Sequence, residues 1–523
     1  MTAAADSPSA RFALRPLAFK LRLGVLLPLC LLGRVAAAQT SPYIPMDDQR
    51  LPLLEYLITR GDIEDPSPQV RPFRQIDAVR ALAAADTAPA TPAGRIIREL
   101  LDQFEDDTLA ASRWSLRARV GGQAQTQKRR DQLRFGGDGS VNPYADVDVK
   151  GVFGPVIWST RPAIEPRLIG DPDWPNKEQE NVTARLIEGY ASAQWRWGEL
   201  FYGQLDRNWG PTGIWGLVLS NYGYERQVAG IQVGRKKVRL LALGGDLNPE
   251  IDSVGATINR YYFAHRLDWQ VNRKLTLGLW ETVLITGVGR GFDIWYRNLV
   301  APSIVTNGFG IRLQNETSNT QIGPDVTWRI ARKITFQGSL LIDDLWFNKR
   351  DQNRDRWGLT LAAYGPLGSR LAWRAIYSQV SSLALRTFTY AERLADANIG
   401  IGRNFTDDDQ SSLFISIPVA HRLIVTPELS FVRQGEGRLN DPYPEAQPTP
   451  GFNYPSFLVG TVEKTYRVGV SVVGARLGPL DVQGVAGVNH VTNAGNVPGV
   501  TVTRFLGAIQ ATLAWSRHGR LEL

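Results

Sequence analysis

The chain has 523 residues, 43% hydrophobic and 21% charged, with a formal charge of +8. That balance excludes a disordered chain and a bundle of membrane-spanning helices. A single cysteine, Cys30, excludes a disulfide framework and a cysteine-based zinc site, and a histidine count of 4 argues against a histidine-rich metal centre.

Residues 1–38 read as a secretory signal peptide. Arg11, Arg15, Lys20 and Arg22 form a basic stretch, and Leu23 to Leu32 is apolar but too short to span a bilayer. Ala36-Ala37-Ala38 supplies small residues for cleavage. Leu29, just before Cys30, argues against lipid attachment there. Cleavage after Ala38 removes more basic residues than acidic ones, so the mature charge is mild and a nucleic-acid partner is not expected. A thiol-free exported chain fits the periplasm or the outer membrane.

Residues 39–112 read as a helical periplasmic segment. Asp47 and Asp48 precede an apolar stripe of Leu51, Leu54, Leu57 and Ile58, which Gly61 ends. Ile76, Val79 and Leu82 follow Pro72 as a second pattern. Thr91-Pro92 is a cap and first-turn pair ahead of Ile96, Ile97, Leu100, Leu101 and Phe104. An Ala/Pro/Thr-rich linker around 84–92 separates the last two. Such short helices bury little core alone, so they are expected to pack on something larger.

From residue 113 to the end the hydrophobic period is two. Ile187, Gly189, Ala191, Ala193, Trp195 and Trp197 share one face, while Arg185, Glu188, Tyr190, Ser192, Gln194 and Arg196 include most of the polar groups and lie largely opposite. Ile334, Phe336, Leu340 and Ile342 alternate with Thr335, Gln337, Ser339 and Asp343. Phe505, Ile509, Ala511, Leu513 and Trp515 repeat the pattern near the end. These runs exceed the about five or six residues of a soluble strand and match the about ten of a tilted membrane strand. Short turns, such as Gly154-Pro155, Asn272-Arg273 and Gly478-Pro479, alternate with long polar loops, such as 207–226, 287–321, 380–409 and 435–464. Short turns on one rim and long loops on the other are the transmembrane-barrel pattern. Counting them predicts an all-β antiparallel barrel of about eighteen strands over residues 113–523, with both ends in the periplasm.

Four features resemble the Wzi family of capsule assembly proteins. The stretch from Tyr43 to Gly61, continuing to Arg71-Pro72-Phe73, is similar to that family's N-terminal helix and Arg-Pro step. Asp206-Arg-Asn-Trp-Gly-Pro-Thr-Gly-Ile-Trp-Gly-Leu-Val-Leu-Ser-Asn221 is similar to its Trp-Gly-Pro segment, and Leu340-Leu-Ile-Asp-Asp344 to a strand ending in Asp-Asp. The barrel itself is the fourth. The resemblance implies an eighteen-stranded barrel closed from the periplasm by helices. It also implies a role in assembly or surface attachment of capsular or exopolysaccharide.

The segment from Asp206 to Asn221 combines Trp209 and Trp215 with Asp206, Asn208 and Asn221. Sugar recognition uses a flat aromatic face beside amides or carboxylates, so these five are candidate polysaccharide contacts. The alternative is a folded plug with both tryptophans in its core. Arg185, Glu188, Arg196, Arg266, Asp268, Asp343 and Arg374 are expected on the lumen or its rim. Their mixed signs suit a salt-bridge network better than an ion selector. Asp343 and Asp344 point to opposite faces, which favours a structural hydrogen bond to an inward loop over acid–base work. His265 falls on the apolar side of its strand, and Asp407-Asp408-Asp409 lacks the spacing of a calcium loop.

No nucleophile elbow, P-loop or zinc-protease motif occurs, so neither an enzyme nor a cofactor is expected. The expectation is a monomer in the bacterial cell outer membrane. Its expected partners are surface polysaccharide, outer-membrane lipid, lipopolysaccharide and the barrel assembly machinery. The competing reading is a porin or substrate-specific channel.

Overall fold

The computed structural model describes residues 40–86, 91–108, 112–175, 183–235, 237–292, 317–331, 333–344, 356–420, 422–444 and 454–520. The expected signal peptide, the centre of the 84–92 linker and the turn residue His421 lie outside the described residues.

Strands β1 (Ser112–Gln125), β2 (Ser140–Phe153), β3 (Val156–Ile164), β4 (Ala184–Trp195), β5 (Gly198–Gln204) and β6 (Gln227–Arg235) open the barrel. They are followed by β7 (Val238–Ile251), β8 (Thr257–Gln270), β9 (Leu275–Val288), β10 (Thr317–Arg329), β11 (Thr335–Asp344) and β12 (Arg356–Leu367). The last six are β13 (Leu371–Val380), β14 (Asp408–Pro418), β15 (Ile424–Gln434), β16 (Glu463–Leu477), β17 (Leu480–Thr492) and β18 (Thr501–Arg520). Each pairs antiparallel with the next, and β1 pairs with β18 to close an eighteen-stranded barrel. Closure leaves no unpaired backbone edge, which hydrocarbon would penalise heavily. The chain is an outer-membrane β-barrel.

The alternating pattern sorts side chains as expected. Leu200, Leu279, Leu429, Val468 and Ile509 face outward and are exposed, while Gln337, Ser339, Thr360 and Ser378 face the lumen and are buried. Trp158, Trp197, Trp269, Trp328 and Trp515 are each about half exposed and lie close to the short turns, forming an interfacial belt. His265 is on the outward face opposite Glu281, with its Nδ1 2.8 Å from that carboxylate.

Helices α1 (Leu51–Arg60), α2 (Gln75–Ala83) and α3 (Pro92–Thr108) occupy the short-turn end. Leu54, Leu57, Ile96 and Leu100 form one apolar core with Ala372 and Ile424 of the barrel wall. The Tyr56 hydroxyl donates to the Arg370 carbonyl, and Lys333 pairs with Asp62 at 2.9 Å, both in short turns. Gly61 ends α1 in the left-handed region at φ 69°, and the Thr91 hydroxyl accepts from the Gly94 N–H at 3.0 Å. Asp47 and Asp48 do not cap α1. Its N-cap is Arg50, which Asp48 holds in a salt bridge of 2.9 Å, while Asp47 reaches across to the wall.

Candidate functional site

β5 has only 7 residues, so the segment after it leaves the wall deep in the barrel and turns into the lumen. Its Asn208 and Trp209 form a two-residue ladder with Arg71 and Val70 of the N-terminal segment. A segment from the long-loop rim thus meets one from the periplasmic rim inside the barrel. Walls clamp it further: its Thr212 N–H donates to Gln337 at 3.0 Å, and Tyr262 donates to the Val218 carbonyl at 3.1 Å. Gly216 is required here, because a Cβ would lie 2.0 Å from the Trp209 carbonyl oxygen.

Trp209 is 2% exposed and packs with Leu217, Leu219, Tyr262, Trp280 and Leu341, so no open face is left for a sugar ring. Trp215 is partly buried edge-to-face on Tyr222, 4.8 Å between centroids. Asn208 is an internal strut, accepting from the Gly216 N–H at 2.7 Å and donating to the Ile214 carbonyl at 3.2 Å. The Asn221 carbonyl accepts from Arg130 at 2.9 Å. Asp206 is half-buried, with its Oδ1 enclosed and unpartnered among the described residues, and desolvation, with Glu225 nearby, pushes its carboxyl well above the usual range. The five candidates therefore share one segment, and its packing is that of a plug.

Most of the lumen charges form ion pairs. Arg185 bonds Glu165 at 2.8 Å and also Glu225. Burial alone would raise the Glu165 carboxyl, but Arg185 and Arg167 hold it at about 2. Glu188 lies 3.4 Å from Arg161. A bulge opposite Arg161 and Pro162 inserts one extra residue, so Arg185 and Glu188 both turn inward despite their odd spacing. Arg266 bridges Asp268 at 2.8 Å and Asp325 at 2.5 Å, and its guanidinium lies 5.7 Å from the Trp209 ring centre. Asp343 accepts from the Leu385 N–H at 2.9 Å, fixing the inward segment 381–407. Arg374 packs against Phe414 and Gly213. Arg196 is on the rim and not in the lumen: it lies in the short turn between β4 and β5, exposed and stacked on Trp197. The three aspartates 407–409 are also taken. Asp407 accepts the Gly437 and Val459 N–H groups, Asp408 pairs with Arg134 and Arg403, and Asp409 with Arg433.

The open aromatics lie elsewhere. Segment 381–407, at the long-loop rim, presents Phe388 at 63% and Tyr390 at 45% exposure. Phe388 packs on Tyr443 with centroids 4.0 Å apart, and Arg393 lies 3.5 Å from the Tyr390 ring centre. Tyr390 donates to Asn398 at 3.1 Å, and Arg393 bonds Asn440 at 2.9 Å. Flat rings flanked by amides are the residue types sought in the sequence, on residues that reading did not name. Segment 380–409 carries no alternation to flag it.

No family model matches the chain, and no curated protein sequence matches it. Solved structures do. The Escherichia coli protein Wzi, described as an outer membrane protein involved in group 1 capsule assembly and a carbohydrate-binding β-barrel, superposes with a TM-score of 0.61. The match covers 92% of this chain and 100% of that one at 11% identity, so the chain has a Wzi-like fold. Pseudomonas aeruginosa OprD, an outer membrane protein, matches at a TM-score of 0.42 and 11% identity over 78% of this chain and 94% of that one. Pseudomonas aeruginosa OpdO matches at 0.43 and 13% identity, over 78% and 97%.

Proposed function

We propose that this barrel is a non-enzymatic protein that holds surface polysaccharide at the outer face of the cell, in capsule or exopolysaccharide assembly. The observation that carries the reading is the filled lumen: an apolar core of Trp209, Leu217, Leu219 and Leu341 occupies the space a solute would need. The fold it shares with a carbohydrate-binding barrel supports the same reading. Phe388, Tyr390 and Tyr443 supply the stacking face, with Asn398 and Asn440 beside them for sugar hydroxyls. The plug segment, with Trp209 and Trp215, holds that face in place from below. The barrel acts as a monomer, inserted by the barrel assembly machinery among lipid and lipopolysaccharide.

A deletion strain scored for cell-bound against shed polysaccharide tests the role. Loss of retention, restored by the wild-type chain but not by a Phe388→Ala/Tyr390→Ala variant that still assembles, is the expected result. Full retention in the deletion strain overturns it. A large steady single-channel conductance from purified protein would instead establish the channel reading.

A further inference from the structure

A cavity of about 750 Å³ lies between the N-terminal segment and the wall made by β1, β2, β3 and the ends of β16 to β18. It opens at the short-turn rim, beside Gly478 and Pro479, and its size falls within the about 300–1,000 Å³ of small-ligand sites. Its lining is basic: ten arginine or lysine side chains against five aspartates. Each aspartate is already held by a cation. Arg117 and Arg520 have no ion pair among the described residues. Arg520 also lies directly opposite Arg113 across the β1–β18 pairing. Like charges directly opposite oppose strand pairing, so stability alone does not account for this placement.

The chain itself demonstrates what the wall takes. Asp47 comes from the segment ahead of α1, deep inside the barrel, yet its side chain is 45% exposed because it faces the cavity. Its two oxygens sit on the Arg161 fork at 2.8 and 2.6 Å, with Arg119 at 3.7 Å. A planar guanidinium gripping a carboxylate through two N–H groups is a strong and directional anion contact.

We propose that this cavity binds a carboxylate-bearing saccharide chain from the periplasmic side. Arg117 and Arg520 receive its carboxylates, and Asp47 fills the Arg161 seat until a ligand carboxylate displaces it. The anion chemistry stands on the cavity; the choice of a saccharide rests on the function proposed above. The site is separate from the outer aromatic face and lies at the opposite end of the barrel.

Calorimetric titration of the purified full-length barrel in neutral detergent tests it, with trigalacturonate as probe and maltotriose and inorganic phosphate as controls. Trigalacturonate binds, maltotriose does not, and binding weakens with added salt. Arg117→Gln and Arg520→Gln each lower affinity about tenfold, or about 1.4 kcal/mol. Arg117→Lys retains most of it, and Asp47→Asn raises it by freeing Arg161, a gain that no purely structural loss produces. Heat-resistant mobility on gels verifies that each variant is folded. Absence of trigalacturonate binding, or binding indifferent to both glutamine variants, overturns the site. Phosphate binding as tightly as trigalacturonate overturns the saccharide assignment. If trigalacturonate fails while Phe388→Ala/Tyr390→Ala still sheds polysaccharide, only this inference falls.

Discussion

Along β7 to β13 the lumen is packed like a soluble core, with Leu217, Leu219, Leu241, Tyr262, Trp280, Leu341 and Val380 in one apolar cluster. Along β1 to β4 the same inward face carries Arg119, Asp146, Lys150, Arg161 and Glu188, and at the short-turn end it borders a cavity. Both regions rest on the same antiparallel ladder, so the strands do not dictate what fills a barrel. The short β5 does: it releases residues 205–226 into one side and leaves the other to ion pairs and solvent. Apolar packing there tolerates loss gradually, whereas the ionic side depends on each partner staying matched.

The largest test of that contrast is Arg161→Ala. It strands Asp47, Asp146 and Glu188 without their shared guanidinium, and should cost about 3–5 kcal/mol, read as lower heat resistance on gels. Leu217→Ala should cost about 2–5 kcal/mol on the apolar side, and should also loosen the plug enough to give single-channel openings. A variant that lost stability without any openings would show that the core is not what fills the pore.

Acid should divide the charged groups. Glu165 is held at about 2 against an ordinary 4.5, so its contribution is complete above pH 4.5 and fades as pH falls toward 2. That contribution is on the order of 3 kcal/mol, and Glu165→Gln should erase the corresponding slope in denaturant unfolding measured against pH. Asp206 has the opposite sign. Its carboxyl is raised, so it favours folding below its ordinary 3.8 and loses that advantage as pH rises. Asp206→Asn should therefore stabilise the barrel at pH 7 relative to pH 4. Smallest of all, Phe388→Ala should change folding stability by no more than about 0.5 kcal/mol, because the ring is largely in solvent.

Much of this was legible in the sequence. The alternation of short turns and long loops led to eighteen strands, and the period of two separated Gln337 and Ser339 from Phe336 and Leu340. Thr91-Pro92 marked its helix correctly. The bulge at β4 was not legible: Arg185 and Glu188 were both expected at the lumen, but their odd spacing puts them on opposite faces of a regular strand, and only the inserted residue lets both turn inward. The state of Trp209 was not legible either. A buried plug and an open sugar face call for the same residue types, and only the ladder with Val70 and the short β5 decide between them. Phe388 and Tyr390 escaped notice because an irregular segment offers no periodicity against which an exposed ring stands out.

The pairing of β1 with β18 has a consequence in time rather than in space. It joins Arg113 to Arg520, the most distant strand partners among the described residues, so it carries the largest loop-closure cost among them and is expected to form last. The same join ends in two arginines face to face, at the rim where the last strand runs out. A barrel that closes there last also opens there first: amide exchange should begin at the periplasmic end of this seam and spread from it, while the ladder around β8 and β9 stays protected.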